Sequence, residues 1–214
     1  TKVIYKYEAL IRYITKDGVE IAPYNFINVA KKTKLYPNII KIVIQDSFKL
    51  IKNKNKRVSV NISFDDIANE ETTSFIYEIL EQNREYTRFL EFEILESEEI
   101  SDFNEVSKFI SEIKKFDCIV GVDDFGAGYS NFNLLTLLDI DFVKIDGSLI
   151  EKITTSKDLE IIVNTIANFS KEFKVKTVAE YVSNEDIYNK IKELNIDYCQ
   201  GYYFDKPLSY DNVK

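Results

Sequence analysis

Histidine does not occur among these 214 residues, and that absence removes a large part of enzyme chemistry. Hydrolases that need an imidazole base for a serine or cysteine nucleophile are excluded, as are zinc sites with imidazole ligands. Any metal must be held by oxygen atoms. Cysteine is scarce, with Cys118 and Cys199 far apart and each in an apolar run. They read as reduced thiols packed as small hydrophobes, which suits a cytoplasmic protein better than a disulfide framework does. Methionine is missing as well, so the chain is expected to be part of a longer multidomain protein. With 3 prolines and 6 glycines there is no linker-like stretch, and residues 1–214 read as a single domain. No apolar run approaches the roughly 18 residues that cross a membrane, so no membrane segment is expected. The formal net charge of -8 argues against binding DNA or RNA, whose phosphates call for a basic surface. An anionic substrate would need a local positive centre.

What the chain does contain is an alternation of strands and helices. Strands are expected over Val3–Ile11, Arg57–Ile62, Phe89–Leu95, Cys118–Val122, Phe142–Ile145, Lys176–Ala179 and Asp197–Tyr203. Helical spacing of apolar residues predicts helices over Tyr24–Leu35, Ile39–Lys52, Ser74–Glu85, Phe103–Lys115, Asn131–Leu138, Leu159–Phe173 and Asp186–Leu194. The pattern is that of an α/β fold with a parallel sheet, and by itself leaves open a doubly wound sheet or a closed barrel.

Polar residues at the strand ends separate the two. Glu8, Asn61, Glu93, Asp123 with Asp124, Lys144, Glu180 and Gln200 each follow or interrupt an apolar run. In a barrel of parallel strands these ends meet on one face, where such enzymes place their catalytic residues, whereas an open sheet would spread them along an edge. Convergence brings five carboxylates together with only Lys144 and Arg12 to balance them, which raises carboxyl pKa values unless a cation is bound. An all-oxygen donor set, with Asn61 adding a neutral carbonyl, favours Mg²⁺ or Mn²⁺. The number of carboxylates suggests two ions with one aspartate bridging them. The neighbouring aspartates of GVDDFGAGYS can then both turn inward if the strand breaks at Gly126. Taken singly, Asn61 also suits a strand-end turn, Lys144 could neutralise Asp146, and Gly126 and Gly128 could be loop punctuation.

The same positions resemble the EAL-domain family of bacterial cyclic di-GMP phosphodiesterases. Glu8-Ala9-Leu10 with Arg12 is similar to the EALxR signature, Asn61-Ile62-Ser63 to NxS, and Glu93-Ile94-Leu95-Glu96 to ExxE. Asp123 to Ser130 resembles the DDFGxGxS loop, Lys144-Ile145-Asp146 the KID motif, Ala179-Glu180 the start of AEGVE, and Gln200-Gly201-Tyr202 the QGY motif. The resemblance implies a TIM-like (β/α)8 barrel, here lacking the first helix and strand that precede the EAL motif. It implies hydrolysis of cyclic di-GMP to linear pGpG with two Mg²⁺ or Mn²⁺ ions. Carried over by position, Glu8, Asn61, Glu93 and Asp123 would bind one ion, and Asp123, Asp124 and Glu180 the other. Lys144 would steady the attacking water, and Glu180 would also serve as general base. Arg12 would hold a substrate phosphate, Gln200 would line the pocket, and Glu96 would couple the site to a homodimer interface. An upstream sensor or diguanylate-cyclase-like domain commonly accompanies the family.

The chain departs from the family pattern after Glu180. Tyr181 stands where AEGVE has glycine, and Ser183 where it has the second glutamate. These departures, with the missing first strand, carry the alternative of a catalytically impaired EAL-type module that acts as a cyclic di-GMP receptor or protein-interaction domain.

Overall fold

The computed structural model describes residues 3–33, 36–95, 103–127 and 132–213. Its frame is a seven-stranded parallel sheet whose strands lie side by side in chain order. Strand β1 (Lys6–Glu8) forms one edge. The chain then leaves the sheet for an antiparallel ribbon, β2 (Tyr13–Ile14) and β3 (Glu20–Ile21), and a short helix α1 (Ile27–Ala30). Helix α2 (Tyr36–Lys54) leads back to β4 (Arg57–Ile62), which pairs with β1. Helices α3 (Phe64–Ala68) and α4 (Glu70–Gln82) precede β5 (Leu90–Leu95), and α5 (Phe103–Lys114) precedes β6 (Ile119–Phe125). Helix α6 (Leu134–Leu137) leads to β7 (Phe142–Ile145), α7 (Gly147–Glu151) and α8 (Lys157–Glu172) to β8 (Lys176–Ala179), and α9 (Glu185–Glu193) to β9 (Tyr198–Cys199).

The period-2 alternation of the strands explains the layering. On β4 the residues Val58, Val60 and Ile62, and on β5 Leu90, Phe92 and Ile94, are buried beneath the helices. They meet apolar stripes such as Ile40, Ile44, Phe48 and Ile51 of α2, whose spacing puts them on one helical face. Phe92, for example, makes an edge contact with Phe109 of α5. The opposite face of the sheet is polar. Lys6 and Glu8 of β1, Asn61 of β4, Glu91 and Glu93 of β5, and Lys144 of β7 all turn into the interior, where they contact one another. Barrel interiors of this type are ordinarily filled by branched apolar side chains. Here charge fills the middle.

The sheet curls until its two edges, β1 and β9, face each other. Tyr5 stacks on Tyr198 with ring centroids 4.6 Å apart, and Gln200 Nε2 donates to Glu8 Oε2 at 2.8 Å. Among the described residues the fold is TIM-like (β/α)8 in kind but short of a full barrel, with the seam between β1 and β9 spanned by side chains. Exposed apolar residues gather near that seam and in the segment after β1, among them Val3, Ile4, Tyr13, Ile14 and Tyr24.

Several expected boundaries move. The strand expected over Val3–Ile11 is regular only across Lys6–Glu8, because the chain turns away after the Glu8 position to build the β2–β3 ribbon. The helix expected over Tyr24–Leu35 is a 3-10 turn at Pro23–Asn25 followed by α1, one turn long. Helix α3, which was not expected, starts on a reciprocal cap in which Ser63 Oγ accepts from the Asp66 amide and Asp66 Oδ2 accepts from the Ser63 amide. Strand β6 runs past the expected Val122 through Phe125 and breaks at Gly126, as the sequence suggests. The last strand shortens to Tyr198–Cys199.

Candidate active site

Glu8, Asn61, Glu93, Asp123, Lys144, Glu180 and Gln200 converge at the C-terminal ends of their strands, as a barrel requires. At the centre is the buried ammonium of Lys144. It lies 2.9 Å from Glu93 Oε2, 2.9 Å from Asp123 Oδ1, 2.9 Å from Glu180 Oε1 and 3.4 Å from Glu8 Oε2. Lys144 therefore does not neutralise Asp146, which instead caps α7 by accepting from the Ser148 amide at 2.9 Å. Glu8 is held at both oxygens. Oε1 accepts from Asn61 Nδ2 at 2.8 Å, and Oε2 accepts from Gln200 and lies near Lys144.

The two neighbouring aspartates are reconciled by a bulge, not by an early strand end. The register between β6 and β7 shifts between Val122 and Phe125, and Asp124 sits there with φ 55°. The left-handed residue breaks the two-fold alternation, so both carboxylates reach the same end of the barrel. The Asp123 carboxylate also accepts from the Asp124 amide at 3.0 Å, a local bond that suits this turn. Gly126 follows with φ 98° where the strand ends.

Two acidic triads result. One oxygen each from Glu8, Glu93 and Asp123 lie within 4.8 Å of one another, and so do oxygens of Asp123, Asp124 and Glu180. Asp123 belongs to both. The electrostatics show that the cluster is short of positive charge. Burial pushes the Asp123 carboxyl up to about 6, with Lys144 opposing and Glu93 adding to the rise. Burial likewise carries Glu180 up to about 8 against the pull of Lys144. Asp124 is raised by burial and by the neighbouring Asp146. Glu93 goes the other way, to about 2, because Lys144 and Lys6 together outweigh its complete burial. For Lys144, burial favours the neutral amine, yet the surrounding carboxylates hold its pKa well above the ordinary value.

A divalent cation fits this site on its own chemistry. The donors are all oxygens, two carboxyls are pushed towards protonation, and Asn61 Oδ1 is buried with no hydrogen-bond partner. An unpaired buried carbonyl is costly unless something positive meets it. Since the Asn61 amide nitrogen is already committed to Glu8, its oxygen is free to act as a ligand.

Other expected residues stand apart. Arg12 lies in the segment after β1, where its guanidinium donates to the carbonyls of Leu10 and Ile11. Ser183 is exposed and accepts from the Asn184 side chain at 3.4 Å. Tyr181 takes the glycine position with φ 51° and is 70% exposed, its ring lying over Gly147 where any β-carbon would overlap it. Glu96, Gly128 and Ser130 fall outside the described residues. Lys6 and Glu91 were not anticipated: Lys6 Nζ contacts Glu91 Oε2 at 2.9 Å and Glu93 Oε1 at 2.7 Å. The signal lay in the alternation of Lys6-Tyr7-Glu8 and Glu91-Phe92-Glu93, which puts both residues on the inward face with the candidate ligands.

The EAL domain family profile matches residues 1–207. The cyclic di-GMP phosphodiesterase PdeA of Borreliella burgdorferi is 30% identical over 207 residues, covering 94% of this chain and 31% of that protein. Cyclic di-GMP phosphodiesterase PdeF of Escherichia coli is 29% identical over 206 residues, covering 94% and 28%. An EAL domain protein from Listeria monocytogenes superposes with a TM-score of 0.84 at 29% identity, over 95% of this chain and 82% of that one. The FimX EAL domain from Pseudomonas aeruginosa, solved bound to c-di-GMP, superposes with a TM-score of 0.89 at 23% identity, over 98% and 87%, a likeness of fold. The chain spans less than a third of the length of these curated relatives. Among the described residues no helix is long and apolar enough to cross a membrane.

Proposed function

The chain belongs to the EAL domain family, and from that premise we propose that it is a metal-dependent phosphodiesterase that opens cyclic di-GMP to linear pGpG. The observation that carries the reading is the pair of acidic triads sharing Asp123. Glu8, Asn61, Glu93 and Asp123 would hold one Mg²⁺ or Mn²⁺, and Asp123, Asp124 and Glu180 the other. When bound, the ions supply Lewis-acid stabilisation of the phosphoryl oxygens and make a water easier to deprotonate.

The chain's own residues do the rest. Lys144, fixed among carboxylates, steadies the attacking water with a charged donor. Glu180, whose carboxylate lies 2.9 Å from the Lys144 ammonium, takes a proton from that water as the water oxygen bonds to phosphorus. One ester P–O bond breaks, and the leaving alkoxide is protonated from solvent. Arg12, on the segment beside Glu8, would bind a substrate phosphate bidentately. Gln200 contributes by orienting Glu8. Partners under this reading are cyclic di-GMP, a second copy of the chain, and an upstream sensor or diguanylate-cyclase-like domain, with the protein working in the cytoplasm.

Chromatography of products after incubation with cyclic di-GMP, with Mg²⁺, with Mn²⁺ and with chelator, tests the proposal. Linear product that depends on metal supports it. Exposed Ser183, in place of the family's glutamate, favours the receptor alternative. Tight binding of the dinucleotide with no turnover under any metal would establish that alternative and reject hydrolysis. A panel of other cyclic dinucleotides sets the substrate range.

A further inference from the structure

Below the acidic rim lies a second charged layer that the proposed reaction does not use. Its centre is the Lys6 ammonium, enclosed by Glu91 Oε2 at 2.9 Å, Glu93 Oε1 at 2.7 Å and the ring of Phe142, whose centroid is 3.8 Å away. Glu91 is itself buried and also meets Arg57 at 3.3 Å. The space for this arrangement comes from Gly121. Phe142 occupies the volume that a β-carbon at 121 would need, so its ring reaches across the barrel floor to the lysine.

Glu93 is the link between the layers. It is fully buried, and its two oxygens are divided: Oε1 goes down to Lys6 and Oε2 goes up to Lys144 and the rim. A carboxylate with one oxygen held by a charged donor has its rotation about the last side-chain bond restricted, which fixes where the other oxygen points. Glu8 stands on the same face of β1 two residues from Lys6, so the floor lysine and one of the rim ligands are carried by a single short strand.

We propose that Lys6 is a positioning residue, which locks the Glu93 carboxylate from beneath so that its second oxygen is presented to a divalent cation at the rim. The inference rests on the metal reading of the preceding section. It adds that the affinity of the first ion depends on a lysine that never touches it. Partners that orient metal ligands in this way carry about 10–100-fold in affinity or activity.

The test measures Mn²⁺ binding by calorimetry and by the free-ion paramagnetic signal. It compares the wild type, Lys6→Met, the double variant Lys6→Met/Glu91→Leu, and Glu91→Gln. Lys6→Met is expected to lower Mn²⁺ affinity about 10–100-fold, with turnover recovering as Mn²⁺ is raised. Lys6→Met also leaves Glu91 short of a partner, so its fold could suffer. The double variant removes that burden, and should regain thermal stability while keeping the weakened affinity, which a purely structural lysine would not do. Glu91→Gln, which keeps the contact between Lys6 and Glu93, should bind Mn²⁺ within a few-fold of the wild type. Wild-type affinity in Lys6→Met or in the folded double variant would overturn the positioning role alone. A wild type that binds no Mn²⁺ would overturn the metal reading, and the positioning role with it.

Discussion

Gln200 Nε2 donates a 2.8 Å hydrogen bond to Glu8 Oε2 and so ties the last strand of the sheet to the first. The two residues are 192 positions apart, and no backbone pairing between β1 and β9 supports them. The bond joins the edges of the curled sheet and aims a candidate metal ligand at once.

Gln200→Leu should therefore affect both stability and metal binding. Loss of a donor to a charged acceptor costs about 1.5–3 kcal/mol, and Glu8 is left less constrained. Chemical denaturation should show that loss, and Mn²⁺ titration should show weaker binding. Unchanged values in both would mean that the seam is held by Tyr5 and Tyr198 instead.

Asp123→Asn removes the carboxylate common to both triads without changing its volume. Turnover of cyclic di-GMP is expected to fall below detection. The metal-free protein should be no less stable than the wild type, since one member of a repelling group has been neutralised. Product chromatography and thermal melts with chelator check the two statements separately. Activity within tenfold of the wild type would contradict the assignment of Asp123.

The carboxyl shifts set the pH dependence of the metal-free fold. Asp123 and Glu180 are raised to about 6 and about 8, so between the unfolded values near ~4 and these values the folded state binds more protons than the unfolded one. Their contribution to stability is complete below the unfolded values and is lost as pH climbs through about 6 and then about 8. Glu93, lowered to about 2, acts in the opposite sense, and its contribution is lost as pH falls through that value. With chelator, the melting temperature should thus decline from about pH 5 to pH 8. Excess Mg²⁺ or Mn²⁺ should flatten or reverse the decline, because an ion binds the deprotonated carboxylates and not the protonated ones.

Gly121→Ala should damage the barrel floor. The added methyl overlaps the ring of Phe142, which is buried and lies against Lys6. Overpacking of this kind costs about 1–3 kcal/mol. Phe142→Leu in the same chain should recover part of the loss, since a smaller side chain yields the space. If the single variant proved as stable as the wild type, the close approach of Gly121 and Phe142 would not constrain the floor.

Strand ends carrying Glu8, Asn61, Glu93, Asp123, Lys144 and Glu180 were legible because each polar residue interrupts an apolar run, where an ionised group stands out against the desolvation it would meet. The segment between Arg12 and Tyr36 was much less legible. Its ribbon and single-turn helix are set by short-range turns around Gly18 and Pro23, with too few residues for any periodicity to register. Helix α3 was hidden for the same reason, since it is five residues long and depends on the cap between Ser63 and Asp66. Lys6 and Glu91 were visible as letters but had no meaning until both were known to face inward.

From the residues alone come the absence of imidazole chemistry, the all-oxygen donor set, the alternation of strands and helices, and the expectation that convergent carboxylates raise one another's pKa values. These follow from composition and from periods of two and 3.6 residues, which are local properties of a chain. Only the folded molecule decides that Asp124 turns inward through a left-handed bulge, that Lys144 sits at the centre of four carboxylates, and that Lys6 grips Glu93 from below. Those are contacts between strands far apart in sequence. Their geometry depends on how far the sheet curls and where its register shifts, and no local pattern encodes either.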